Sequence, residues 1–419
     1  MFTLWYGESK DFAEYLVENT DLKGLTYQYK KMYKSDADAP KFFHTMPDHI
    51  KQLLRYDSPD VIIDYEDEPI LVLEYTLSAG SGDHPYQRMP RIICACENEV
   101  PAIYIMPEYK AVGRENKTTK VVEYSWDNLN PLSVYVFEQI MGICGIPALF
   151  YYWPSYNTLT ADAAAAISNG GLKFDKKYIE CPDSKDDGMQ RMFKFINEAL
   201  LKTKGDVVSG RRSLIHSMVC REERERMLRD FAEKGWPIDR LPNNTNSSII
   251  VPTEYLINYL KQYETSTYKI GEFLSPTSRP ETVIMFTNAK YRKSGDPYVG
   301  ELAALDFLKC REGKTYEDRK RNLVLSYAKV TRDDTNKTLV LDTSAAATVD
   351  DFCNLVHENE KKNNLARFAS YASLIGEMIP RYYMQMRYGT VFSKNKSTRI
   401  SSYFADAILF KDGAFWRDA

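Results

Sequence analysis

Two short apolar runs joined by an acidic turn, within PDVIIDYEDEPILVLEYT at residues 59–76, constrain the fold more than any other stretch. Val61–Tyr65 and Ile70–Thr76 each have the length and β-branched content of a strand, and the four residues between them are short enough for a hairpin turn. Asp60 precedes the first run, and Glu74 lies near the end of the second. We therefore predict a hairpin that brings two carboxylates together at its open end.

The elements around this hairpin are predicted in the order helix, strand, strand, strand, helix, strand. They comprise a helix at 9–19, a strand at 25–33, a short helix at 47–55, the two hairpin strands, a helix from Pro85 that contains Pro90, and a buried strand at 101–106. The last helix has the length of a crossover between two parallel strands. The fold class that we predict is α/β (α+β), with a mixed sheet in an N-terminal αβββαβ core.

Two carboxylates held at the same edge of a sheet repel each other unless a cation or a proton compensates them. Asp60 and Glu74 are in this position if the hairpin forms, and Thr76 shares the face of Glu74 because residues i and i+2 of a strand point the same way. Oxygen ligands of this kind suit Mg²⁺. Such an ion can polarise a phosphodiester and activate a water molecule for attack on it.

The pattern Pro59-Asp60-x13-Glu74-x-Thr76, in this order of elements, resembles the PD-(D/E)xK nuclease superfamily, which includes many restriction endonucleases. The resemblance implies a restriction-endonuclease-like core in which Asp60 and Glu74 bind Mg²⁺, with Mn²⁺ as a substitute. It also implies that the backbone carbonyl of Tyr75 is a third metal ligand, and that the substrate is double-stranded DNA. Many restriction enzymes act as dimers, so a homodimer is the oligomer that the resemblance suggests.

Thr76 departs from this pattern, because the family usually has a lysine there that positions the attacking water. Threonine cannot supply a positive charge, so the role must have moved or the protein is an inactive relative. The candidates to take over the role are Gln87, Arg88 and Arg91 on the following helix, where Gln87 and Arg91 are four residues apart and can share a face. Glu14, or Glu8 before it, is the candidate for an acid that some branches of the family add from the first helix.

A literal Glu-x-Lys also occurs at Glu108-Tyr109-Lys110, after the predicted buried strand and in a predicted loop. No aspartate precedes it at a hairpin distance, so we interpret Lys110 as a candidate phosphate contact instead of as part of the motif. The histidines His44, His49 and His84 have no partner at an informative spacing, and surface or loop positions are predicted for them.

Composition excludes several other classes of protein. The net charge is −3 and the pI is about 6.1, so no overall basic excess indicates a nucleic-acid partner, and a DNA-binding face must be local. Seven cysteines occur without a Cys-x-x-Cys pair, which argues against a structural zinc site. The N-terminus lacks the features of a signal peptide and no stretch has eighteen consecutive apolar residues, so we predict a cytoplasmic protein outside the membrane.

The remaining two thirds are predicted to contain a helical region at 161–245 and a mixed α/β region at 246–419, after a nuclease core at 1–160. A break is expected at Gly205–Arg212, a single charged helix at Ser213–Lys234 and a helix at Gly300–Lys309 in which Asp306 is exposed. Two basic segments are candidate DNA contacts, although they equally suit a solubilising surface. Their residues are Lys314, Arg319, Lys320, Arg321, Lys394 and Lys396.

The sequence therefore predicts a Mg²⁺-dependent DNA endonuclease of restriction type, with a C-terminal part that binds DNA or selects its sequence. Two alternatives remain at this point. The first is a catalytically inactive DNA-binding protein with a nuclease fold, which Thr76 favours. The second is an interaction or scaffold protein, which the content of thirty tyrosines favours.

Overall fold

The chain divides into two compact units. The computed structural model describes residues 1–7, 9–32, 46–54, 56, 58–77, 84–156, 159–235, 246–263, 274, 276–287, 296–315, 318–344, 348, 351, 390–392, 397–399 and 405–416. The first unit comprises Met1–Tyr33, Thr45–Leu53 and Ser58–Trp236, and the second comprises Lys34–His44, Leu54–Asp57 and Pro237–Ala419.

The first unit contains a six-stranded mixed sheet, and helices connect several of its strands in sequence. Its described strands are β1 (Phe2–Tyr6), β2 (Tyr27–Lys31), β3 (Val61–Tyr65), β4 (Glu68–Tyr75), β5 (Ala102–Pro107), β6 (Tyr109–Glu115), β7 (Val122–Asn128) and β8 (Ala148–Trp153). Its described helices are α1 (Lys10–Asn19), α2 (Asp48–Lys51), α3 (His84–Glu97), α4 (Pro131–Cys144), α5 (Ala161–Ala166), α6 (Asp187–Lys202), α7 (Val207–Leu214) and α8 (Met218–Lys234).

The strand order of this sheet is β2-β1-β3-β4-β5-β8. Strand β1 pairs with β2 in parallel and with β3 antiparallel, the β3–β4 pair is antiparallel, and β4, β5 and β8 run parallel. The mixed α/β class predicted from the sequence is confirmed. Ile70–Leu73 in β4 is completely buried, as is most of β5, because both strands lie inside the sheet with helices packed against it.

Several predicted elements differ from the structure. The sequence did not predict β1, whose residues add a strand between β2 and β3. The predicted break at Gly205–Arg212 is confirmed at its start, since α6 ends at Lys202, but is wrong from Val207, where α7 begins. Asp206 caps α7 by accepting a hydrogen bond from the Ser209 amide at 3.1 Å. The single helix at Ser213–Lys234 is also wrong, because Ser217 caps α8 separately through the Cys220 amide at 3.1 Å.

The helices at residues 161–235 belong to the first unit, although the sequence predicts a domain boundary at residue 160. Ion pairs join them to the sheet and to α4. Arg226 on α8 donates a hydrogen bond to the Phe150 carbonyl of β8 at 2.6 Å, and Arg224 pairs with Glu138 on α4. The region from α5 to α8 therefore packs against the sheet as part of the same unit.

The second unit contains a five-stranded sheet with the order β17-β16-β11-β10-β9. Its described strands are β9 (Asn246–Pro252), β10 (Glu281–Thr287), β11 (Arg321–Ser326), β12 (Lys329–Asp333), β13 (Thr338–Asp342), β14 (Thr390–Phe392), β15 (Ser397–Arg399), β16 (Ala407–Leu409) and β17 (Ala414–Trp416). Its described helices are α9 (Thr253–Leu260) and α10 (Asp296–Leu305), and a π-helical turn at Asp306–Cys310 follows α10. A core of apolar side chains that includes Leu256, Ile284 and Val324 lies against this sheet.

Candidate active site

The open end of the β3–β4 hairpin brings Asp60 and Glu74 together, as the sequence predicted. Val61 pairs with Leu73, so the residues just beyond this pair are neighbours across the two strands. Asp60 Oδ2 accepts a hydrogen bond from the Tyr75 amide at 2.9 Å. This bond holds the Asp60 carboxylate against the end of β4, beside the backbone of the residue that follows Glu74.

Glu74 is a buried carboxylate whose two oxygens have different surroundings. Its side chain is 1% exposed. Oε1 pairs with the guanidinium of Arg91 and with Arg88 Nε at 3.3 Å, both on α3. Oε2 is buried and has no hydrogen-bond partner among the described residues. One oxygen of Glu74 therefore pairs with two arginines, and the other has no hydrogen-bond partner among the described residues other than the neighbouring Asp60 carboxyl group.

The pKa of Glu74 lies well above that of an ordinary glutamate. Burial is the main cause, since it disfavours the charged form, and the nearby Asp60 carboxylate acts in the same direction. Arg91 and Arg88 lower the pKa but do not offset the burial. A cation beside Oε2 would favour the ionised form, so the electrostatics of this carboxyl are suited to one.

The helix α3 supplies the basic residues of the site. Arg88 and Arg91 are three residues apart, so they lie on the same face of the helix and reach Glu74 together. Gln87 is one residue earlier, and its Oε1 accepts a hydrogen bond from Arg88 Nη1 at 3.3 Å. Of the three predicted candidates, the structure places both arginines on Glu74 and places Gln87 on Arg88.

Lys110 lies close to the backbone just beyond the end of β4. Its Nζ donates a hydrogen bond at 2.8 Å to the carbonyl of Leu77, the residue after Thr76. Thr76 itself is buried, and its amide donates to the Ile105 carbonyl at 3.0 Å. Burial lowers the pKa of Lys110, and Asp127 opposes this. Lys110 lies in β6 and not in the loop predicted for it, so a lysine from the separate β6–β7 hairpin reaches the backbone just beyond β4.

Tyr104 is a member of the site that the sequence did not indicate. It pairs with Glu74 across the parallel strands β4 and β5, which puts both side chains on the same face of the sheet. Its hydroxyl is buried without a hydrogen-bond partner among the described residues, and its ring lies 6.1 Å from that of Phe137 on α4. Burial raises the pKa of Tyr104, so it stays a neutral hydrogen-bond donor. The sequence offered one signal for this residue, since the Tyr104 hydroxyl is the single polar side-chain group in the apolar strand β5.

Two further candidates are placed differently from the acidic pair. Glu14 pairs with Lys10 at 2.7 Å on α1, and no contact joins it to Asp60 or Glu74 in the described part of the chain. Glu8 lies outside the described residues. The ring of Tyr75 packs against Phe12 at 4.2 Å, and the use of its carbonyl as a metal ligand stays a prediction.

The predicted DNA contacts of the second unit divide into buried and exposed residues. Arg319 is completely buried, with its guanidinium 2.6 Å from Asp306 Oδ1 and 3.1 Å from Asp406 Oδ2, so it is part of the interior and not of a DNA-binding surface. Asp306 is likewise buried and not exposed as predicted, because it also pairs with Arg311 at 2.6 Å.

The neighbouring basic residues remain nearer the surface. Arg321 pairs with Glu281 at 2.7 Å, Lys320 pairs with Glu312 at 3.6 Å, and the Lys314 carbonyl accepts a hydrogen bond from Arg311. Lys394 and Lys396 lie outside the described residues, so their predicted role as DNA contacts has no structural counterpart here.

Comparisons with models of protein families, with curated proteins and with solved structures gave no match for the chain. None of the helices in the described part of the chain combines the length and the apolar character that crossing a membrane requires. The chemistry of the site therefore has to be argued from its own residues.

The residues of this site fit a divalent cation. Two carboxylates meet at a rigid strand end, and the buried Oε2 of Glu74 is without a hydrogen-bond partner among the described residues. Two cationic groups, on Arg88 and Arg91, lie beside the Glu74 carboxylate and would suit the oxygens of a phosphate, and Lys110 lies at the Leu77 carbonyl just beyond β4. The arrangement can hold a metal ion with a phosphodiester bound beside it.

Proposed function

We propose that the protein is a metal-dependent DNA endonuclease related to the PD-(D/E)xK superfamily and acting on double-stranded DNA. The proposal rests on Oε2 of Glu74, which is buried and forms no hydrogen bond with the described residues. It lies next to Asp60 at the open end of the hairpin. A carboxylate is rarely buried without a full set of partners, because the desolvation penalty is large. A function that supplies a cation at this point accounts for the arrangement.

Asp60 and Glu74 would hold Mg²⁺, with Mn²⁺ as a substitute. Bound there, the ion would supply Lewis-acid stabilisation of the phosphate and an activated water. The Asp60 carboxylate is oriented by the Tyr75 amide, and the Glu74 carboxylate is oriented by Arg91 and Arg88. These contacts hold both ligands in one geometry before substrate binds, which reduces the reorganisation needed for catalysis.

The positive charge that Thr76 cannot supply is assigned to Lys110 and to Arg88. Lys110 reaches the residue next to Thr76, and burial lowers its pKa, so it loses a proton more readily than a surface lysine. A lysine of this kind can orient the attacking water or accept its proton. Arg88 is 28% exposed and can offset the charge of the scissile phosphate while it keeps its contact with Glu74.

The β6–β7 hairpin is a candidate for contacts with the duplex, because it carries Lys110 near its start and has an exposed end. Its end is exposed, including Lys117, Lys120 and the side chain of Tyr124 at 46% exposure. A two-stranded ribbon fits the major groove of B-DNA, and exposed lysines suit its phosphates. Further contacts are assigned to the exposed basic residues of the second unit. The proposal includes a cytoplasmic location and a homodimer, in which two such sites would cut the two strands.

The proposal is tested by isosteric changes of the two acids. We expect Asp60→Asn and Glu74→Gln each to abolish cleavage of plasmid or phage DNA in Mg²⁺, because each removes a charged ligand without changing its shape. Asp162→Asn, a change of an exposed aspartate on α5, is the matched control and should leave cleavage unchanged. Cleavage is read from supercoiled substrate on gels, and circular dichroism verifies the fold. Full activity in either site variant would contradict the proposal.

A second function is favoured by the two arginines on Glu74. Because Arg88 and Arg91 already compensate Oε1, the fold can keep this carboxylate buried without performing catalysis. The protein would then be an inactive DNA-binding relative, as Thr76 also suggests. Salt-sensitive binding of DNA without cleavage in both Mg²⁺ and Mn²⁺ would select this function.

A further inference from the structure

A second group of metal-ligating side chains lies at the turn of the β3–β4 hairpin, at the end away from Asp60 and Glu74. It consists of His49 on α2, Asp64 on β3 and Asp67 in the turn, whose nearest ligand atoms all lie within 4.8 Å of one another. His49 Nε2 is 2.9 Å from Asp64 Oδ2 and 4.0 Å from Asp67 Oδ1. The group is about 13 Å along the strand from Asp60, at roughly 3.3 Å per residue, so the two sites are separate.

The buried polar atoms of this group face each other without forming hydrogen bonds. The side chain of Asp64 is 2% exposed, and its Oδ2 makes no hydrogen bond with the described residues. The facing atom, His49 Nε2, is also buried and makes no hydrogen bond there. These two atoms form an ion pair at 2.9 Å without the geometry of a hydrogen bond, and a cation bound to both, to one side of the line that joins them, would satisfy both.

The local backbone structure directs the side chains of Asp64 and His49 towards each other. The β3–β4 register shifts between Ile63 and Asp64, and such a bulge re-aims the side chain that follows it. Asp64 Oδ1 accepts a hydrogen bond from the Asp67 amide at 3.2 Å, which leaves Oδ2 directed at the imidazole. On the other side, the buried Ile50 fixes the short helix that carries His49.

We propose that His49, Asp64 and Asp67 bind a first-row transition-metal dication of the Zn²⁺ class, which ties helix α2 to the hairpin turn. An imidazole nitrogen with two carboxylate oxygens is a ligand set that Zn²⁺ accepts, at metal–ligand distances of about 2.0–2.2 Å. Two ligand atoms around a tetrahedral ion of this kind are about 3.4 Å apart, so His49 Nε2 and Asp64 Oδ2, now 2.9 Å apart, would have to separate slightly to bind it. The Asp67 side chain is 87% exposed, so it can move to the ion, and water can complete the shell.

The test uses the full chain with Asp60→Asn and Glu74→Gln, so that the other site cannot bind the probe. We expect this protein to bind one equivalent of Zn²⁺ in titration calorimetry and metal analysis, and to melt at a higher temperature with Zn²⁺ than without it. Adding His49→Gln should weaken Zn²⁺ binding by roughly 100-fold or more, since even supporting residues of metal sites contribute 10–100-fold. The matched control is His216→Gln, an exposed histidine after α7, which should bind as the parent does.

Asp67→Asn provides a second test in case substitution of the buried His49 unfolds the protein. This residue is exposed, so its variant retains the fold, and we expect it to weaken binding by roughly 10-fold. Co²⁺ adds a readout that a purely structural effect would not alter, because its visible absorption reports direct coordination by the imidazole. Absence of Zn²⁺ binding in the double variant, or equal affinity in the His49→Gln and His216→Gln proteins, would overturn the proposal.

Discussion

The Glu74 carboxyl group is held between opposing influences on its pKa. Burial and Asp60 favour the protonated form, whereas Arg91 and Arg88 favour the ionised form, and the resulting pKa is well above the ordinary value. The folded protein therefore holds this proton more tightly than the unfolded chain does. The stability that this group contributes is fully present below the ordinary glutamate pKa of about 4.3 and is lost as pH rises through the folded pKa.

Arg91→Met should raise the Glu74 pKa further, because Arg91 is the strongest of the influences that lower it. If Mg²⁺ binds the ionised carboxylate, its binding must then begin at a higher pH. We expect the pH midpoint of Mg²⁺ binding, measured by calorimetry between pH 5 and 9, to move upward. The cleavage rate at pH 7 should fall about 100-fold, as for loss of one charge-stabilising donor.

The control for this change is Arg212→Met, which removes an arginine on α7 that pairs with Glu99 and is 60% exposed. It should leave both the pH midpoint and the cleavage rate as in the parent. A downward movement of the midpoint in Arg91→Met would show that Arg91 does not stabilise the ionised form of Glu74.

At the scale of single residues, the sequence was most informative where neighbours in space are near in the chain. Asp60 and Glu74 could be paired because one hairpin joins them, and Arg88 and Arg91 could be assigned because they follow directly. The position of Tyr104 depends on β5 being the strand beside β4, and that of Lys110 depends on where the β6–β7 hairpin packs. Neither can be predicted from the local spacing of residues. His49 likewise had no partner in the sequence, since Asp64 reaches it only through the folded hairpin.

At the scale of elements, the apolar runs of β4 and β5 were predictable because complete burial requires them. The start of α8 was not, since the charged sequence before and after Ser217 has a continuous helical character and a single capping hydroxyl separates two helices. The π-helical turn after α10 was also not predictable. It depends on Asp306, which is buried by arginines that follow it in the chain.

This buried network gives a prediction for the second unit. Arg319→Met should lower the free energy of unfolding by about 3 kcal/mol, because removal of one partner leaves the buried acids incompletely compensated. Arg319 contacts both Asp306 and Asp406, so it joins the π-helical turn to the segment that leads into β16. Urea denaturation followed by circular dichroism measures the change.

Lys320→Met is the matched control, since this neighbouring residue is 44% exposed and pairs loosely with Glu312 at 3.6 Å. Its effect on stability should be small, as for most exposed ion pairs. Equal stabilities for the two variants would mean that the Arg319 network contributes little to the unit.

At the scale of the whole molecule, each of the two units has its own sheet and its own buried core. The first unit ends near Trp236, and it holds the complete candidate active site and the His49 group. The division predicts that metal binding belongs to the first unit alone, whereas selection of DNA draws on the second.

A fragment of residues 1–236 contains the whole first unit together with two short segments of the second, Lys34–His44 and Leu54–Asp57. We expect it to fold in one cooperative transition and to bind Mg²⁺ with the affinity of the full chain. Its affinity for double-stranded DNA should be lower, and its salt dependence shallower, because the exposed basic residues of the second unit are missing. Calorimetry compares Mg²⁺ binding, and fluorescence anisotropy at several salt concentrations compares DNA binding. A folded fragment with unchanged DNA affinity and salt slope would assign all DNA contacts to the first unit. Loss of Mg²⁺ binding in a folded fragment would instead show that the second unit completes the metal site.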